Sequence, residues 1–221
     1  MFDAIAPRYD LLNHLLSAGI DRRWRRQAIA SLGLTGREVL LDVCTGTADV
    51  ALEARTGASR VVGVDFAGAM LAIGARKVRA AGEARRITLV RGDATHLPVR
   101  DASVDAATVA FGIRNVERPA LACAEMARAL RPGGRLAILE FGVPRIPGIS
   151  TLYLWYFKYL LPLVGRTMSG HTAAYSYLPA SVSTFPPPAE FVTMLRQAGF
   201  AEVKAVPLTF GIVYLYVACR A

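Results

Sequence analysis

The 221-residue chain has only three cysteines, Cys44, Cys123 and Cys219. They are too few and too far apart for a disulfide framework or a zinc knuckle, and a reducing cytoplasm is the simplest setting. Acidic residues are also scarce: 17 Asp and Glu stand against 26 Lys and Arg, a net charge of +9. That excess favours anionic partners. Nucleic acid is not expected among them, because no basic tail or aromatic RNA-binding signature accompanies the run Arg22, Arg23, Arg25, Arg26. No basic segment followed by an apolar one opens the chain, so no secretory signal is expected. Long apolar runs are missing too. The nearest, Ile149 to Gly165, falls short of a comfortable membrane span and carries Lys158 and Pro162. A buried or interfacial helix is the expectation there. With 53% hydrophobic and 19% charged residues, the balance is wrong for disorder.

What is present is a β–α alternation. Residues 1–34 read as helical, with Leu11, Leu12, Leu15 and Leu16 on one stripe. Asp21 is placed to cap a second helix whose apolar side carries Trp24, Ile29 and Leu32. Five apolar runs follow: Val39–Val43, Arg60–Asp65, Ile87–Val90, Val104–Phe111 and Arg135–Phe141. Helical stretches separate most of them, near Asp49–Arg55, Ala67–Ala81 and Ala120–Leu130. Near-continuous apolar strands in this alternation argue for a parallel sheet covered on both faces. Residues 142–187 leave the pattern and are too long for a plain connection. A last helix, Pro188–Ala198, stops at Gly199. Val203–Thr209 and Val213–Cys219 then read as strands whose link is too short for a crossover helix, so they must pair antiparallel.

Ligands of such sheets sit at the carboxyl ends of the central strands. Three features fall there. The turn Asp42-x-Cys44-x-Gly46-Thr47-Ala48 follows the first strand, and its small residues let the backbone approach a ligand. Asp65 ends the second strand and could accept hydrogen bonds from two ribose hydroxyls. Gly92-Asp93-Ala94 follows the third, where Asp93 could accept from an adenine amino group and the Ala94 N–H could donate to a ring nitrogen. Alone, each reads as an ordinary turn or cap. Together, at consecutive strand ends, they point to a nucleoside. A G-x-G-x-x-G loop is absent, because Cys44 and Ala48 replace two of the glycines. S-adenosylmethionine has no pyrophosphate and does not need that loop.

The segments MFDAIAPRYDLLN, LDVCTGTADV, GVDFAGAM, AFGIRNVERP, LRPGGRLAILEFGVP, YSYLPASVSTFP and LRQAGF, in this order, resemble the ubiquinone/menaquinone biosynthesis C-methyltransferases over essentially the whole chain. The glycine and acid motifs are shared by most class I methyltransferases; residues 2–13, 111–116 and 175–185 are specific to the quinone family. The resemblance implies an α/β fold of the class I S-adenosylmethionine-dependent, Rossmann-like type. Its mostly parallel seven-stranded sheet has an antiparallel last strand and helices on both faces. It implies a single domain: an N-terminal helical lid (1–34), a cofactor-binding half (35–141), a substrate-side insertion (142–187) and a C-terminal helix with a strand hairpin (188–221). The candidate cofactor set is Asp42, Gly46, Thr47, Asp65, Phe66, Asp93 and Ala94. Ala110, where the ubiquinone branch often has Ser, and the wording Cys44-x-Gly46-Thr47-Ala48-Asp49 are closer to the menaquinone branch, which favours demethylmenaquinone as substrate.

A sulfonium methyl is an electrophile, so the acceptor carbon must be electron-rich. The reduced quinol is therefore the expected substrate rather than the electron-poor quinone, and no metal is needed. Arg114 is the first choice to stabilise the phenolate, with Asn115 orienting the ring oxygen. The plain alternative is a capping Asn beside a surface Arg. Tyr175 or Tyr177 could hydrogen-bond the quinol and His171 could take a proton, each with an ordinary structural role as the alternative. Asp49 is expected to bond locally, and Tyr9 and Asp10 to belong to the lid.

The stripe Tyr153, Leu154, Trp155, Tyr156, Phe157, Tyr159, Leu160 offers a surface for a prenyl tail or a bilayer, with Lys158 and the Arg22–Arg26 cluster facing lipid phosphates. Read instead as a core or dimer helix, it leaves a homodimer open. A cytoplasmic enzyme, peripheral on the inner face of the cell membrane, is the resulting expectation. The competing enzyme is an O- or N-methyltransferase of another small hydrophobic metabolite, and the competitor from another class is a non-catalytic binding module of the same fold.

Overall fold

The apolar runs do form strands of one sheet. A computed structural model describes residues 19–144, 181–182 and 184–221. Its elements are α1 (Ile20–Ser31), β1 (Val39–Val43), α2 (Asp49–Glu53), β2 (Arg60–Asp65), α3 (Gly68–Ala80), β3 (Ile87–Arg91) and β4 (Val104–Ala110). They continue with α4 (Pro119–Ala129), β5 (Leu130–Phe141), α5 (Pro188–Gln197), β6 (Phe200–Leu208) and β7 (Val213–Arg220). The sheet order is β3-β2-β1-β4-β5-β7-β6. The first five strands pair parallel, while β7 is antiparallel to both β5 and β6. The hairpin reading of the C-terminus is thus observed, with β7 inserted between β5 and β6.

Adjacent residues on each strand serve opposite cores. Leu41, Val43, Ala107, Val109 and Ile138 pack with Met126 of α4 and with Phe191 and Leu195 of α5. Leu40, Ala106, Ala137 and Leu139 pack on the other face with Trp24 and Ala28 of α1, Leu32 at its C-cap, and Val78 of α3. Full burial of a side chain such as Leu32 stabilises by about 1.5–3 kcal/mol, so the two-faced pattern dominates the energetics of the fold.

Two local expectations change. Asp21 does not cap α1: Gly19, at φ 78°, holds the N-cap position, and Asp21 lies buried in the first turn, paired with Arg25 at 2.5 Å. An acid in the first turn suits the helix dipole, and the arginine one turn later offsets the burial of its charge. The fifth strand also starts earlier than Arg135. Val104 pairs with Leu130 and Ala106 with Arg135, so Arg131-Pro132-Gly133-Gly134 bulges out of a strand already begun.

Candidate active site

Strand order reverses between β1 and β4, so the loops leaving those strands part to opposite sides and open a crevice at the carboxyl rim. The β1 side is made of backbone. Cys44, Gly46 and Ala48 all have left-handed φ, of 56°, 56° and 66°, which coils Cys44–Ala48 into a tight turn. Three side chains hold it. The Thr45 hydroxyl donates to Asp42 at 2.5 Å, the Gly46 N–H donates to Asp65 at 2.8 Å, and Lys77 Nζ donates to the Thr47 hydroxyl at 3.3 Å. Gly63, beside Asp42 on β2, makes the first bond feasible: a Cβ there would lie 2.9 Å from Thr45 Oγ1 and 2.7 Å from Leu89.

Asp42 therefore sits beneath the turn rather than in front of it. Its side chain is buried and bonded to Thr45, which corrects its assignment as a cofactor contact: it supports the loop that would make the contact. Burial, with the nearby Asp65 charge adding to it, pushes its carboxyl up to about 7. Thr47 is likewise buried and turned toward Lys77, leaving its backbone as the part at the turn.

Asp65 is oriented by two backbone donors, Gly46 N–H on one oxygen and Ala67 N–H on the other, both at 2.8 Å. The same carboxylate ties the turn to the entry of α3. Phe66, next in sequence, is 71% exposed, with the Arg91 guanidinium 5.9 Å from its ring centroid. Asp93 is exposed beyond β3. Its Oδ1 accepts the Thr95 N–H and hydroxyl at 2.8 Å each, and these bonds hold its carboxyl below the usual range. Ala94 is buried beside it. Asp65, Phe66, Asp93 and the turn thus share one stretch of rim, at the ends of β1, β2 and β3.

The β4 side is made of side chains. Gly112 packs against Cys44, and a Cβ at 112 would overlap the cysteine's own. The two halves of the rim meet at that contact. Ile113–Asn115 then forms a 3-10 turn. Arg114 is neither a surface residue nor a free cation: its side chain is 8% exposed and that of Glu140, at the end of β5, is fully buried. Arg114 Nη1 donates to Glu140 at 2.6 Å and to the Phe111 carbonyl at 2.6 Å, and Nε donates to the Ser181 hydroxyl at 3.3 Å. The guanidinium lies 5.2 Å from the Phe141 ring centroid. Phe141 stands 4.6 Å from Phe111 and 6.5 Å from Trp24, whose Nε1 donates to Thr209 at 2.9 Å. Asn115 does not cap α4, whose N-cap is Arg118; its Nδ2 reaches the Phe111 carbonyl at 3.5 Å.

Sequence reasoning does not place Glu140, Phe141, Phe111 or Trp24 at the site. The signal available for Glu140 is a lone acid in the apolar run Leu136–Phe141, at the carboxyl end of a strand buried on both faces. Asp49 does not bond locally as expected: it pairs with Arg25 at 2.9 Å and with Lys77, 24 and 28 residues away, clamping α1 and α3 to the start of α2. Within the arginine run, Arg25 is committed to Asp21 and Asp49 and Arg26 pairs with Glu53 at the surface, while Arg22 and Arg23 are exposed. Tyr9, Asp10, His171, Tyr175, Tyr177 and the 153–160 stripe lie outside the described residues. Among the described residues no helix is long and apolar enough to cross a membrane.

Solved structures share this fold. A SAM-dependent methyltransferase from Aquifex aeolicus superposes with a TM-score of 0.63 at 18% identity, covering 89% of each chain. Phosphoethanolamine N-methyltransferase 2 of Haemonchus contortus, solved with S-adenosyl-L-methionine, gives 0.64 at 16% identity, over 88% of this chain and 52% of that one. Sequence relatives are far nearer. The ubiquinone/menaquinone biosynthesis C-methyltransferase UbiE of Geobacter sp. (strain M21) is 48% identical over all of this chain and 94% of its own. The demethylmenaquinone methyltransferase of Thermus thermophilus is 45% identical over the whole of both chains. The sequence profile of the ubiE/COQ5 methyltransferase family matches residues 1–220, and the chain belongs to that family.

Proposed function

We propose that this chain moves the methyl group of S-adenosylmethionine to a ring carbon of a prenylated quinol, converting demethylmenaquinol to menaquinol. The observation that carries the reading is the meeting, at Gly112 and Cys44, of two unlike corners of one rim. One is a left-handed backbone turn flanked by Asp65 and Asp93. The other is a cation on an aromatic floor, Arg114 over Phe141.

The residues of the first corner fit the nucleoside. A Cβ at Gly46 would meet nothing among the described residues within 4 Å, so that face of the turn is open, and Asp65 is already oriented by its N–H donors. Asp65 accepts from the ribose hydroxyls, Asp93 from the adenine amino group, the Ala94 N–H donates to the ring, and Phe66 covers it. Bound there, the cofactor supplies an electrophilic methyl on a sulfonium that leaves as a neutral thioether.

Arg114 acts on the acceptor. Nε and Nη1 are committed, while Nη2 bonds none of the described residues and is the donor offered to the phenolate oxygen. An arginine stays cationic, so the proton goes elsewhere. His171 takes it, and Tyr177 and Asn115 hold the ring oxygens. Alignment of carbon and methyl within such a corner can supply up to ~7–11 kcal/mol of the barrier.

The prenyl tail keeps the substrate at a membrane, and the enzyme meets it there as a peripheral protein. Net charge +9 and the exposed Phe210 and Val143, both near the carboxyl rim, favour that placement. Flotation with anionic vesicles is expected to carry the protein, and Phe210→Ser to weaken it; no flotation removes the membrane part of the reading. The decisive experiment incubates the protein with S-adenosylmethionine and demethylmenaquinone, either chemically reduced or oxidised, and locates the added methyl by mass analysis. Carbon methylation of the reduced form alone is expected. A methyl on oxygen, or equal reaction of both forms, defeats the proposal.

A further inference from the structure

We infer that Glu140 is a positioning residue for the transfer: from the end of β5 it fixes the direction of Arg114 and neutralises its charge, and so sets how readily an acceptor hydroxyl ionises at this site. The inference rests on the proposed methylation of a quinol. It adds a residue that does not touch the substrate.

A carboxylate with no exposed surface is strongly unfavourable in a strand core unless it is paired and hydrogen-bonded. Glu140 meets that condition with three donors. Oε1 accepts Arg114 Nη1 at 2.6 Å and the Phe141 N–H at 2.8 Å; Oε2 accepts the Arg114 backbone N–H at 3.2 Å. One side chain therefore grips both the backbone and the guanidinium of Arg114, and binds the 3-10 turn Ile113–Asn115 to β5. With the Phe111 carbonyl on Nη1, Ser181 on Nε and the Phe141 ring beneath, the guanidinium is fixed in position and in plane. A short ion pair of this kind orients a donor while the carboxylate offsets the field of the cation.

Among the described residues, Cys44, Tyr214 and Tyr216 are the other ionisable side chains facing Glu140 from neighbouring strands and turns. Cys44, on the turn after β1, has its thiol pushed up by burial and by the Asp65, Asp42 and Glu140 charges. Tyr216, on β7, has its phenol pushed up by burial and by Glu140. Tyr214, also on β7, is the register partner of Glu140 on β5. Arg114 is thus the cation that answers the Glu140 charge, and removing that charge leaves an uncompensated positive group beside the acceptor.

Glu140→Gln tests this. The variant keeps the shape and one acceptor but loses the charge. With the reduced acceptor, turnover should fall by up to about 10²-fold, the scale for a catalytic group displaced by about an ångström. The dissociation constant for S-adenosylmethionine should stay within about twofold, since the cofactor corner is not touched. The limb of the pH–turnover profile that rises as the acceptor hydroxyl ionises should move to lower pH, because the extra positive charge favours the phenolate. Glu140→Asp, which keeps the charge and shortens the reach, should lose turnover with that limb unmoved; it also serves if the Gln variant does not fold. Unchanged turnover in either variant overturns the inference. So does a Gln variant whose limb stays in place while turnover and cofactor affinity fall together, the mark of a merely structural role. If the wild-type protein leaves the reduced acceptor unmethylated, the proposed function fails instead.

Discussion

The two halves of the carboxyl rim are built from different materials. On the β1–β3 side, carboxylates are bonded to backbone N–H groups: Asp65 to Gly46 and Ala67, Asp93 to Thr95. On the β4–β5 side, a carboxylate is bonded to another side chain, Glu140 to Arg114, over a floor of Phe111, Phe141 and Trp24. The first arrangement presents a rigid, small-residue surface of the kind a nucleoside needs. The second holds one cation still in a largely apolar corner, its charge offset by the Glu140 carboxylate. Damage to the ligand-facing carboxylates of the first half should therefore be read as lost affinity, damage to the residues beneath its turn as lost stability, and damage to the second half as lost turnover or local stability.

The sharpest test of that division is Asp65→Ala. It removes a charged acceptor shared by the turn and the proposed ribose contact, and should cost roughly 1.5–3 kcal/mol of cofactor affinity, measured by isothermal titration. An unchanged dissociation constant would end the ribose assignment. Gly63→Val strikes the same half from below. Its branched side chain would collide with Leu89 and Thr45, and a loss of about 1–3 kcal/mol in denaturant stability is expected. On the other half, Trp24→Phe puts a smaller aromatic ring in place of the indole and loses the bond to Thr209. It should cost roughly 0.5–1.5 kcal/mol in the same measurement and leave cofactor binding untouched.

Asp42 adds a pH signature to the first half. Its folded carboxyl stands near 7 against an ordinary value of 3.8, so its contribution to stability is full below about 4 and is lost as pH rises through 7. Asp42→Asn retains an acceptor for Thr45 and should flatten the stability profile across that window; an unchanged slope assigns the dependence to other groups. The smallest effect is expected for Arg26→Ala, whose ion pair with Glu53 is solvent-exposed: at most ~0.5 kcal/mol, and less in high salt.

The first half is largely legible in the order of residues along the chain. Asp42, Gly46, Asp65 and Asp93 follow short apolar runs at consecutive strand ends, and each acts on residues within the turn beside it or on the next strand. The exception there, the burial of Asp42, follows from register. Asp42 lies between Gly63 and Thr108 on neighbouring strands, and the missing Cβ at 63 lets Thr45 fold over it. The second half is legible only as an Arg-Asn pair after a strand. Its partner, Glu140, is 26 residues away, and Thr209, which anchors Trp24, is 185 residues from it.

By itself the sequence determined a parallel sheet with a reversed β7, and a small-residue turn opposite two acids, because periodicity and glycine chemistry act between neighbours along the chain. Only the tertiary structure decided that Arg114 is buried and paired while Arg22 and Arg23 are left in solvent. Charge pairing depends on which strands lie side by side and in what register, and an arginine carries no local mark of the partner that will neutralise it.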